Sequence, residues 1–412
     1  MPSPDGSEQR KERPNAMKPL ASLRILDLTD GNPYPGSLFA DYGAEVLKIE
    51  PPGRGDSIRR RGTTGADEPE GLYQSYYNRS KRSVALDLTR NAGQEILRRL
   101  IPTCDMLVAN VPESRLAALG LGYERLRAVN PKLIYGVLTP FGEEGPWKDL
   151  PDYDLIVMAR TGLLEKTGLP DKPTRIGSPL SYYYGAWHLT AGMMAAWLDA
   201  QDSGQGRKVS VSCWQAICSI DDTYVQGLQG LNVLPKRIGN GFPTTNPTDT
   251  FQCKNGWFAL SIGSDAQWLA FAAGAGRDDW GEGTVYAHDP ARSMKHYFGE
   301  LDEQLRDYFR TITIEEADRI CREAMVPGGP CNTVRELMDD EQVAARSMII
   351  EVDDPVWGRV KQLGKPAKFL RDNEDDDAAA PAPALGAHTD PVLAAMGMGE
   401  PEIAELRRQG VV

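Results

Sequence analysis

The stretch LRILDLTDGNPYPGSLFADYGAEVLKIE, residues 23–50, contains the signals that decide the fold. Residues 23–29 form a short run of β-favouring residues that ends in a turn, and residues 44–50 form a second such run. The segment between them, PGSLFADYG, has helical character. Two strands joined by a helix are typical of a βαβ unit, in which the strands run parallel.

The same alternation continues beyond this stretch. Strand signals lie in SVALDLT, DMLVAN and LIYGVLTPF, and helix signals lie in NAGQEILRRLIPTC and YERLRAVNP. The sequence therefore predicts an α/β fold with a large Rossmann-like domain around a parallel sheet. Because such sheets bind ligands at the carboxyl ends of their strands, we expect functional residues in the loops there. These loops follow Thr29, Glu50, Thr89, Asn110 and Leu138.

The loop after the first strand, DLTDGNPYPGSL, lacks the GxGxxG pattern of dinucleotide-binding folds. Pro33 and Pro35 would disrupt the amide-rich helix start that holds a pyrophosphate. The sequence therefore disfavours a nicotinamide- or flavin-dependent dehydrogenase.

The middle of the chain has a different sequence pattern. Residues 239–263, GNGFPTTNPTDTFQCKNGWFALSIG, alternate strand and turn signals, and helical segments follow. We predict a disordered tail over residues 1–18 and a large domain that begins with residues 19–225. A smaller α+β domain is predicted over residues 226–330, and residues 331–412 are predicted to return to the large domain and to end in helices.

Composition narrows the classes of function. The net charge of −12 disfavours nucleic-acid binding, which needs a basic surface. No apolar run reaches the roughly 20 residues that cross a bilayer, and the polar N-terminus has no apolar signal core. The six cysteines include no CxxC pair, and the four histidines include no HExxH motif, so no metal site is expected. We expect a cytoplasmic protein without a membrane partner.

Three consecutive tyrosines, Tyr182, Tyr183 and Tyr184, precede an apolar helical stretch within RIGSPLSYYYGAWHLTAGMMAAW. They have three interpretations: aromatic packing at a helix start, the wall of a substrate pocket or partner interface, or, for Tyr182, a nucleophile. A phenol with a pKa near 10 is almost fully protonated at neutral pH, which weakens the last interpretation.

Several ordered stretches together resemble the class III CoA-transferases, the family that also contains α-methylacyl-CoA racemase. They include residues 23–56, YYNRSKRSVALDLT, YDLIVMARTGLLEKTG, GQGRKVSVS and the C-terminal ALGAHTDPVLAAMGMGEPEIAELRRQGVV. The resemblance implies a large α/β domain built from both chain ends, a smaller middle domain and two protomers interlocked like linked rings. It implies no permanently bound cofactor and a coenzyme A thioester as substrate.

In the family, an aspartate shortly before the apolar helix attacks the acyl-CoA carbonyl, which is covalent catalysis by a carboxylate. This chain keeps the neighbouring Gly177, Pro179 and Gly192 of that pattern, but Tyr182 occupies the aspartate position. A shift by one residue gives Ser181 or Tyr183, so no alignment provides a carboxylate. The resemblance therefore implies no catalytic residue in this chain.

The racemases of the family pair a histidine with that aspartate. The histidine position corresponds to Tyr153, followed by Asp154, so both members of the acid–base pair are absent. We expect Asp154 to cap or buttress the helix that starts near Leu155. His188 lies in the apolar helical stretch that follows the three tyrosines, and it is expected to be a packed helix residue.

The family's coenzyme A contacts are altered as well. The positions that remain plausible contacts are Asn32, Leu86, Asn110 and Phe141, with Arg82 as a basic residue nearby. Pro51 stands where an arginine is usual, and Thr139 stands where a lysine can occur. Other basic residues near the same strand ends could meet the phosphates of coenzyme A. They are Arg54, Arg59, Arg60, Arg61, Arg79 and Lys81.

The family includes hetero-oligomeric enzymes in which only one kind of subunit carries the aspartate. We therefore expect this chain to be the aspartate-lacking subunit of a succinyl-CoA-dependent CoA-transferase. Its partner would be an aspartate-bearing homologous subunit, and the acceptor would be a dicarboxylate such as an aryl- or alkylsuccinate. Two alternatives stay open: a homodimeric acyl-CoA-binding or racemase-like enzyme with altered chemistry, and a non-enzymatic interaction protein.

Overall fold

The computed structural model describes residues 18–62, 70–220, 222–232, 234, 236–241, 245–369 and 379–412. The predicted tail lies, apart from Lys18, outside these residues. The described chain forms two compact units. The first combines residues up to Thr161 with Ser178–Asp221 and Ala344–Val412, and the second combines Gly162–Gly177 with Asp222–Val343.

Six parallel strands form the central sheet of the first unit, in the order β3-β2-β1-β4-β5-β6. These strands are β1 (Arg24–Asp27), β2 (Glu45–Glu50), β3 (Arg82–Ala85), β4 (Met106–Ala109), β5 (Ile134–Thr139) and β6 (Lys208–Ser212). The central strands β4 and β5 are buried throughout, as expected where both faces of a parallel sheet are covered. The predicted α/β fold with a parallel sheet is confirmed.

Helices connect and cover the strands of both units. They are α1 (Tyr34–Asp41), α2 (Leu72–Tyr77), α3 (Asn91–Leu100), α4 (Glu113–Ala118), α5 (Tyr123–Arg127), α6 (Asp154–Ala159), α7 (Leu163–Lys166), α8 (Leu180–Ser203), α9 (Cys213–Ser219), α10 (Asp222–Leu231), α11 (Asp265–Gly274), α12 (Asp302–Arg310), α13 (Ile314–Glu323), α14 (Val334–Met338), α15 (Glu341–Ala345), α16 (Thr389–Ala395) and α17 (Glu400–Arg408). Short 3-10 turns lie at Ser57–Arg60, Ile101–Thr103 and Asp278–Trp280, and Arg292–Leu301 is π-helical.

Two apolar layers enclose the central sheet. Alternate side chains of a strand point to opposite faces, so Leu26 joins one layer and Ile25 joins the other. The layer of Leu26 includes Leu393 of α16, and the layer of Ile25 includes Leu189 of α8. The C-terminal residues complete this unit, because the Asp87 amide donates a hydrogen bond to the carbonyl of Val411 (2.8 Å).

The second unit contains an antiparallel sheet in the order β9-β8-β7. Its strands are β7 (Thr248–Cys253), β8 (Gly256–Ser261) and β9 (Gly328–Pro330), and its core includes the stacked rings of Phe251 and Phe309, with centroids 4.6 Å apart. A separate hairpin, β10 (Ile349–Asp354) with β11 (Gly358–Leu363), belongs to the first unit.

The second unit differs in extent from the predicted residues 226–330, since it reaches residue 343 and includes residues 162–177. A small hairpin, Gly168–Leu169 with Lys172–Pro173, forms within the latter segment. The Arg237 guanidinium ties this segment to the unit, because it donates hydrogen bonds to the carbonyls of Glu165 (2.9 Å) and Leu169 (3.2 Å). Contacts between residues so far apart in sequence leave no local signal.

Helix α8 packs against β5 at a glycine. A Cβ atom on Gly136 would lie 2.3 Å from the sulfur of Met193, which is fully buried. The absence of a side chain therefore sets the approach of α8 to the sheet. The helix ends at Gly204, whose positive φ of 70° suits a residue without Cβ.

We predict that Gly136→Ala lowers the free energy of unfolding by about 1–3 kcal/mol, because the added methyl overpacks the contact with Met193. Chemical denaturation measures the change. Gly329→Ala is the matched control, since a Cβ there meets no atom within 4 Å. The double variant Gly136→Ala with Met193→Ala should lose less than the sum of the two single losses; strict additivity would contradict the packing explanation.

Candidate functional site

A cavity of about 490 Å³ lies at the carboxyl ends of β1, β2 and β3. Residues 28–30 line it after β1, Glu50 lines it at the end of β2 with residues 51–52 beyond, and residues 86–89 line it after β3. Leu28, Ile49, Leu86 and Leu116 give it apolar walls. The cavity therefore lies at the edge of the sheet where the strand pattern predicts ligand binding.

The carboxylates at this cavity already have partners. Glu50 accepts hydrogen bonds from Arg59 Nε (2.6 Å) and Ser83 Oγ (2.6 Å), and Asp87 pairs with Arg90 Nε (3.0 Å). Burial raises the pKa of Glu50, but the Arg59 guanidinium and the other donors outweigh burial and hold this pKa below its usual value. Glu50 and Asp87 are thus each paired with an arginine of the chain itself.

Four buried charged side chains, Asp27, Lys48, Asp56 and Lys81, adjoin the cavity and are called the buried ion network here. Lys48 Nζ lies 2.8 Å from Asp56 Oδ2 and 3.5 Å from Asp27 Oδ1, and Lys81 Nζ lies 2.9 Å from Asp27 Oδ2. Burial raises the pKa of Asp56, but the Lys48 ammonium and backbone donors outweigh it and lower this pKa to about 2. Two lysines thus face two aspartates in this network. Burial lowers the pKa of Lys81, and the neighbouring Asp27 carboxylate opposes this shift.

The sequence offered seven basic residues as possible phosphate contacts. Of these, Arg54 is the one that lines the cavity in the described part of the chain. Its side chain is exposed and forms no hydrogen bond or ion pair with the described residues. Most of the other six are engaged elsewhere: Arg59 with Glu50 and Glu70, Arg61 over the ring of Tyr73, Arg79 with Asp41, Lys81 with Asp27, and Arg82 with Glu45. Arg54 is thus the cation best placed to meet an anionic ligand.

Three of the predicted contact residues lie at or near the cavity. Leu86 lines it directly. Asn110 holds the loop after β1, since its Oδ1 accepts from the Asp30 amide (2.9 Å) and its Nδ2 donates to the Asp30 carbonyl (2.7 Å). Asn32 lies in the same loop and is half-buried. Asn110 therefore shapes the cavity wall through Asp30, which is a lining residue.

The structure does not bring the other two, Phe141 and Arg82, to this cavity. Phe141 is buried in the core, where its ring meets Trp147 edge-on with centroids 6.3 Å apart. Arg82 stands at the amino end of β3, opposite the cavity, and forms an ion pair with Glu45. Burial and strand direction separate both side chains from the cavity.

Tyr182 lies in the first turn of α8. Its ring is half-buried against the apolar layer that contains Leu189, and its hydroxyl donates a hydrogen bond to the Asp152 carboxylate. Burial, and then this hydrogen bond, raise the pKa of Tyr182 well above its usual value. The phenol therefore stays protonated at neutral pH, which makes it a poor nucleophile.

The neighbouring tyrosines also pack. The Tyr183 hydroxyl lies 2.6 Å from the Tyr77 hydroxyl, and its ring meets Tyr34 of α1 edge-on with centroids 4.9 Å apart. Tyr184 packs edge-on against Trp187, with centroids 5.1 Å apart. Aromatic packing is thus the role that the structure gives to these rings.

Asp154 caps a different helix from the one expected. Its Oδ1 accepts hydrogen bonds from the amide (3.0 Å) and the hydroxyl (2.6 Å) of Ser181 in the first turn of α8. Asp154 is itself the first residue of α6. Its carboxylate accepts a hydrogen bond from an amide in the first turn of α8, where backbone amides have no partner within their own helix. The expectation of a cap on α6 is corrected accordingly.

The predicted histidine positions hold no acid–base pair. Tyr153 is 63% exposed. His188 lies on α8 with an exposed side chain, so the expectation of a packed residue is wrong; its Nε2 lies 3.2 Å from the Ser219 hydroxyl. Over the described residues, no group of three or more histidine, cysteine, aspartate or glutamate side chains is arranged to hold a metal ion. None of the helices described here is long and apolar enough to cross a membrane.

Sequence reasoning missed two features of this region. Asp152 reaches Tyr182 across 30 positions, and Lys48 joins Asp56 through the tertiary structure. The lysine carried one detectable signal, since a charged residue interrupts the otherwise apolar core of β2, EVLKIE. Asp152 carried no such signal, because an acidic residue in a polar loop is most often solvated.

We predict that Tyr182→Phe lowers the free energy of unfolding by about 1 kcal/mol, because the ring stays and only the hydrogen bond to Asp152 is lost. Thermal or chemical denaturation gives the value. Tyr184→Phe is the control, since the Tyr184 hydroxyl makes no hydrogen bond within the described chain and its loss should cost almost nothing. Equal losses in both variants would rule out the bond to Asp152 as the cause.

Comparisons with known proteins agree with this architecture. The family CoA-transferase family III matches residues 20–389. The succinyl-CoA–D-citramalate CoA-transferase of Chloroflexus aurantiacus is 30% identical over 96% of this chain and 98% of its own length. The succinate–glutarate CoA-transferase of Agrobacterium fabrum is also 30% identical, over 93% of this chain and 97% of its own length.

A solved structure shows the same fold. A CAIB/BAIF family protein from Brucella suis superimposes with a TM-score of 0.80 at 27% identity, and the match covers 92% of this chain and all of that one. The family match over most of the chain and the agreement in fold confirm the resemblance read from the sequence motifs. The chain belongs to CoA-transferase family III.

Proposed function

We propose that this chain is a subunit of a heteromeric enzyme that transfers coenzyme A from succinyl-CoA to a dicarboxylate. Two relatives similar along almost the whole chain are named for succinyl-CoA or succinate together with D-citramalate or glutarate, which are dicarboxylates. The observation that carries the subunit role is Tyr182, a protonated and packed phenol at the start of α8. A homologous chain with an aspartate at that position would supply the nucleophile.

The transfer chemistry explains why the missing carboxylate matters. A carboxylate attacks the donor thioester carbonyl, expels the coenzyme A thiolate and forms a mixed anhydride; the thiolate then attacks the enzyme's acyl carbon and releases the donor acid, which leaves an enzyme-bound thioester. The acceptor carboxylate attacks this thioester and expels the thiolate again, and the thiolate attacks the acceptor's acyl carbon in the new anhydride. This step gives the acceptor thioester and restores the enzyme carboxylate. Each step replaces one good leaving group, a thiolate or a carboxylate, with the other, so each step is reversible. A phenol with a raised pKa provides too little phenolate at neutral pH to begin the cycle.

In this proposal the cavity at β1, β2 and β3 binds the nucleotide part of coenzyme A. Its apolar walls suit an adenine ring, and Arg54, which has no ion-pair partner among the described residues, lines it as a cation for a phosphate. Arg54 would thereby compensate for Pro51, another lining residue, which provides no charge. The loop after β1 leads from this cavity to Tyr34, which packs against Tyr183 in the first turn of α8.

Assembly with a homologous chain is part of the proposal. Exposed apolar side chains on α8, Trp187 and Leu198, are 46% and 60% exposed, and Leu155 and Ile156 of α6 are exposed as well. In the proposed complex the partner chain covers these side chains. We propose that the two chains interlock as linked rings, as the resemblance implies.

Asp152 favours a second candidate, a chain that transfers coenzyme A by itself. Its carboxylate lies in an exposed loop and accepts the Tyr182 hydrogen bond, so a carboxylate does stand beside the family's nucleophile position. In this alternative Asp152 attacks the thioester, and Tyr182 holds one of its oxygens. Both candidates use the same cavity for coenzyme A.

The purified chain alone should show no exchange between succinyl-CoA and glutarate, and exchange should appear when it is co-expressed with an aspartate-bearing homologue. Coenzyme A exchange followed by mass spectrometry measures the activity. Transfer by the lone chain that is abolished in Asp152→Asn would establish the second candidate and refute the subunit role. Asp339→Asn, a change of an exposed aspartate in the second unit, controls for the lost charge.

Arg54→Ala should weaken coenzyme A binding about tenfold, the equivalent of one charge-assisted hydrogen bond to a phosphate. Isothermal titration of coenzyme A and of its dephospho form measures the effect. If Arg54 meets the 3′-phosphate, the variant should bind the dephospho form as the unmodified chain does. Arg61→Ala is the control, because Arg61 belongs to the same loop but lies over Tyr73. An unchanged affinity for coenzyme A would exclude Arg54 as a phosphate contact.

A further inference from the structure

The buried ion network reaches beyond the sheet into two loops at the cavity. Lys48 Nζ donates to Thr29 Oγ1 (3.1 Å) and to the Thr29 carbonyl, in the loop after β1. Asp56 Oδ1 accepts from the amides of Gly31 (2.6 Å), in the same loop, and Ile58 (2.9 Å), in the loop after β2. The Lys48–Asp56 ion pair therefore joins the two loops to each other and to β2.

A third attachment fixes the beginning of α1. Lys81 Nζ donates to Asp27 Oδ2 (2.9 Å) and to the Pro33 carbonyl (3.0 Å), which immediately precedes α1. The helix approaches so closely that a Cβ on Gly36 would lie 2.1 Å from Asp27 Oδ2. The loop after β1 is therefore held at both ends, at Thr29 and at Pro33, by ammonium groups.

Stability alone is a weak explanation for this arrangement. Buried ion pairs contribute little net stability relative to well-packed apolar residues of similar size, because removing both charges from water is costly. What they provide is a defined geometry, since each ammonium must keep its acceptors. Thr29 and Asp56, which the network holds, are both lining residues of the cavity.

We propose that Lys48 and Asp56 are positioning residues that set the two cavity loops in their ligand-binding geometry and thereby determine the affinity for the nucleotide part of coenzyme A. The identification of the ligand as coenzyme A rests on the proposed function, whereas the role of these two residues in setting the loop geometry does not. Lys48 is 1% exposed and is not among the residues that line the cavity, so it acts on the cavity through Thr29 and Asp56, which do line it. A preformed site avoids the cost of ordering loops on binding, so its loss should appear as weaker affinity.

The test compares Asp56→Asn and Lys48→Met with Asp41→Asn in the full-length chain. Asp41 pairs with the buried Arg79 (2.8 Å) and does not line the cavity, so its variant controls for the loss of an ion pair. Amide hydrogen exchange of residues 28–32 and 56–58 measures the opening of the two loops without a ligand, and exchange of residues 106–109 in β4 reports global opening. Coenzyme A titration gives the dissociation constant per folded molecule, and thermal unfolding gives the midpoint.

All three variants should lower the unfolding midpoint. All three variants should speed exchange in β4 according to their loss of stability. Only Asp56→Asn and Lys48→Met should speed exchange in the two loops by more than in β4 and weaken coenzyme A binding about fivefold or more. Loop exchange and affinity that match the Asp41→Asn control would overturn the proposal and leave the network a merely structural feature. If the unmodified chain binds no coenzyme A, the proposed function fails, and loop exchange still decides whether the network positions the loops. If either variant fails to fold, the other provides the comparison.

Discussion

An ammonium group inside a sheet, away from water, has to be matched by buried acceptors, and Lys48 imposes this constraint on the first unit. Its Nζ is surrounded by Asp27, Asp56 and Thr29, and Asp27 in turn requires Lys81. The charge of one strand residue thereby determines where two loops and the beginning of α1 lie. The close approach of α1 to Asp27 is possible because Gly36 has no side chain.

The start of α8 follows a related rule, that buried backbone amides need partners. Asp154 meets this need for Ser181, and the rings that follow fill the space between α8, α1 and α2. The position that the family resemblance assigns to a nucleophile is thus occupied by a packed tyrosine. On the proposed function, the chain keeps the fold and the nucleotide cavity of the family and leaves the covalent chemistry to a partner.

Charge pairing within the chain limits what its cavity can bind. A count of acidic residues would suggest a site that repels phosphates, since four aspartates or glutamates line it. Glu50, Asp56 and Asp87, however, are paired with Arg59, Lys48 and Arg90. The balance at the cavity is therefore close to neutral, and Arg54 can favour an anion despite a net charge of −12 for the whole protein.

The sequence by itself determined the parallel α/β sheet and the edge where a ligand would bind, because alternating apolar runs specify strands and helices locally and parallel strands end at one edge. It also located Tyr182 at a helix start. Only the tertiary structure decided that Asp154 caps α8, that Asp152 accepts the Tyr182 hydroxyl, and that Phe141 belongs to the core. Among the described residues, it likewise gave Arg54 no ion-pair partner, whereas Arg59 and Arg79 pair with carboxylates. These outcomes depend on burial and on partners distant along the chain, and neither is encoded in local periodicity.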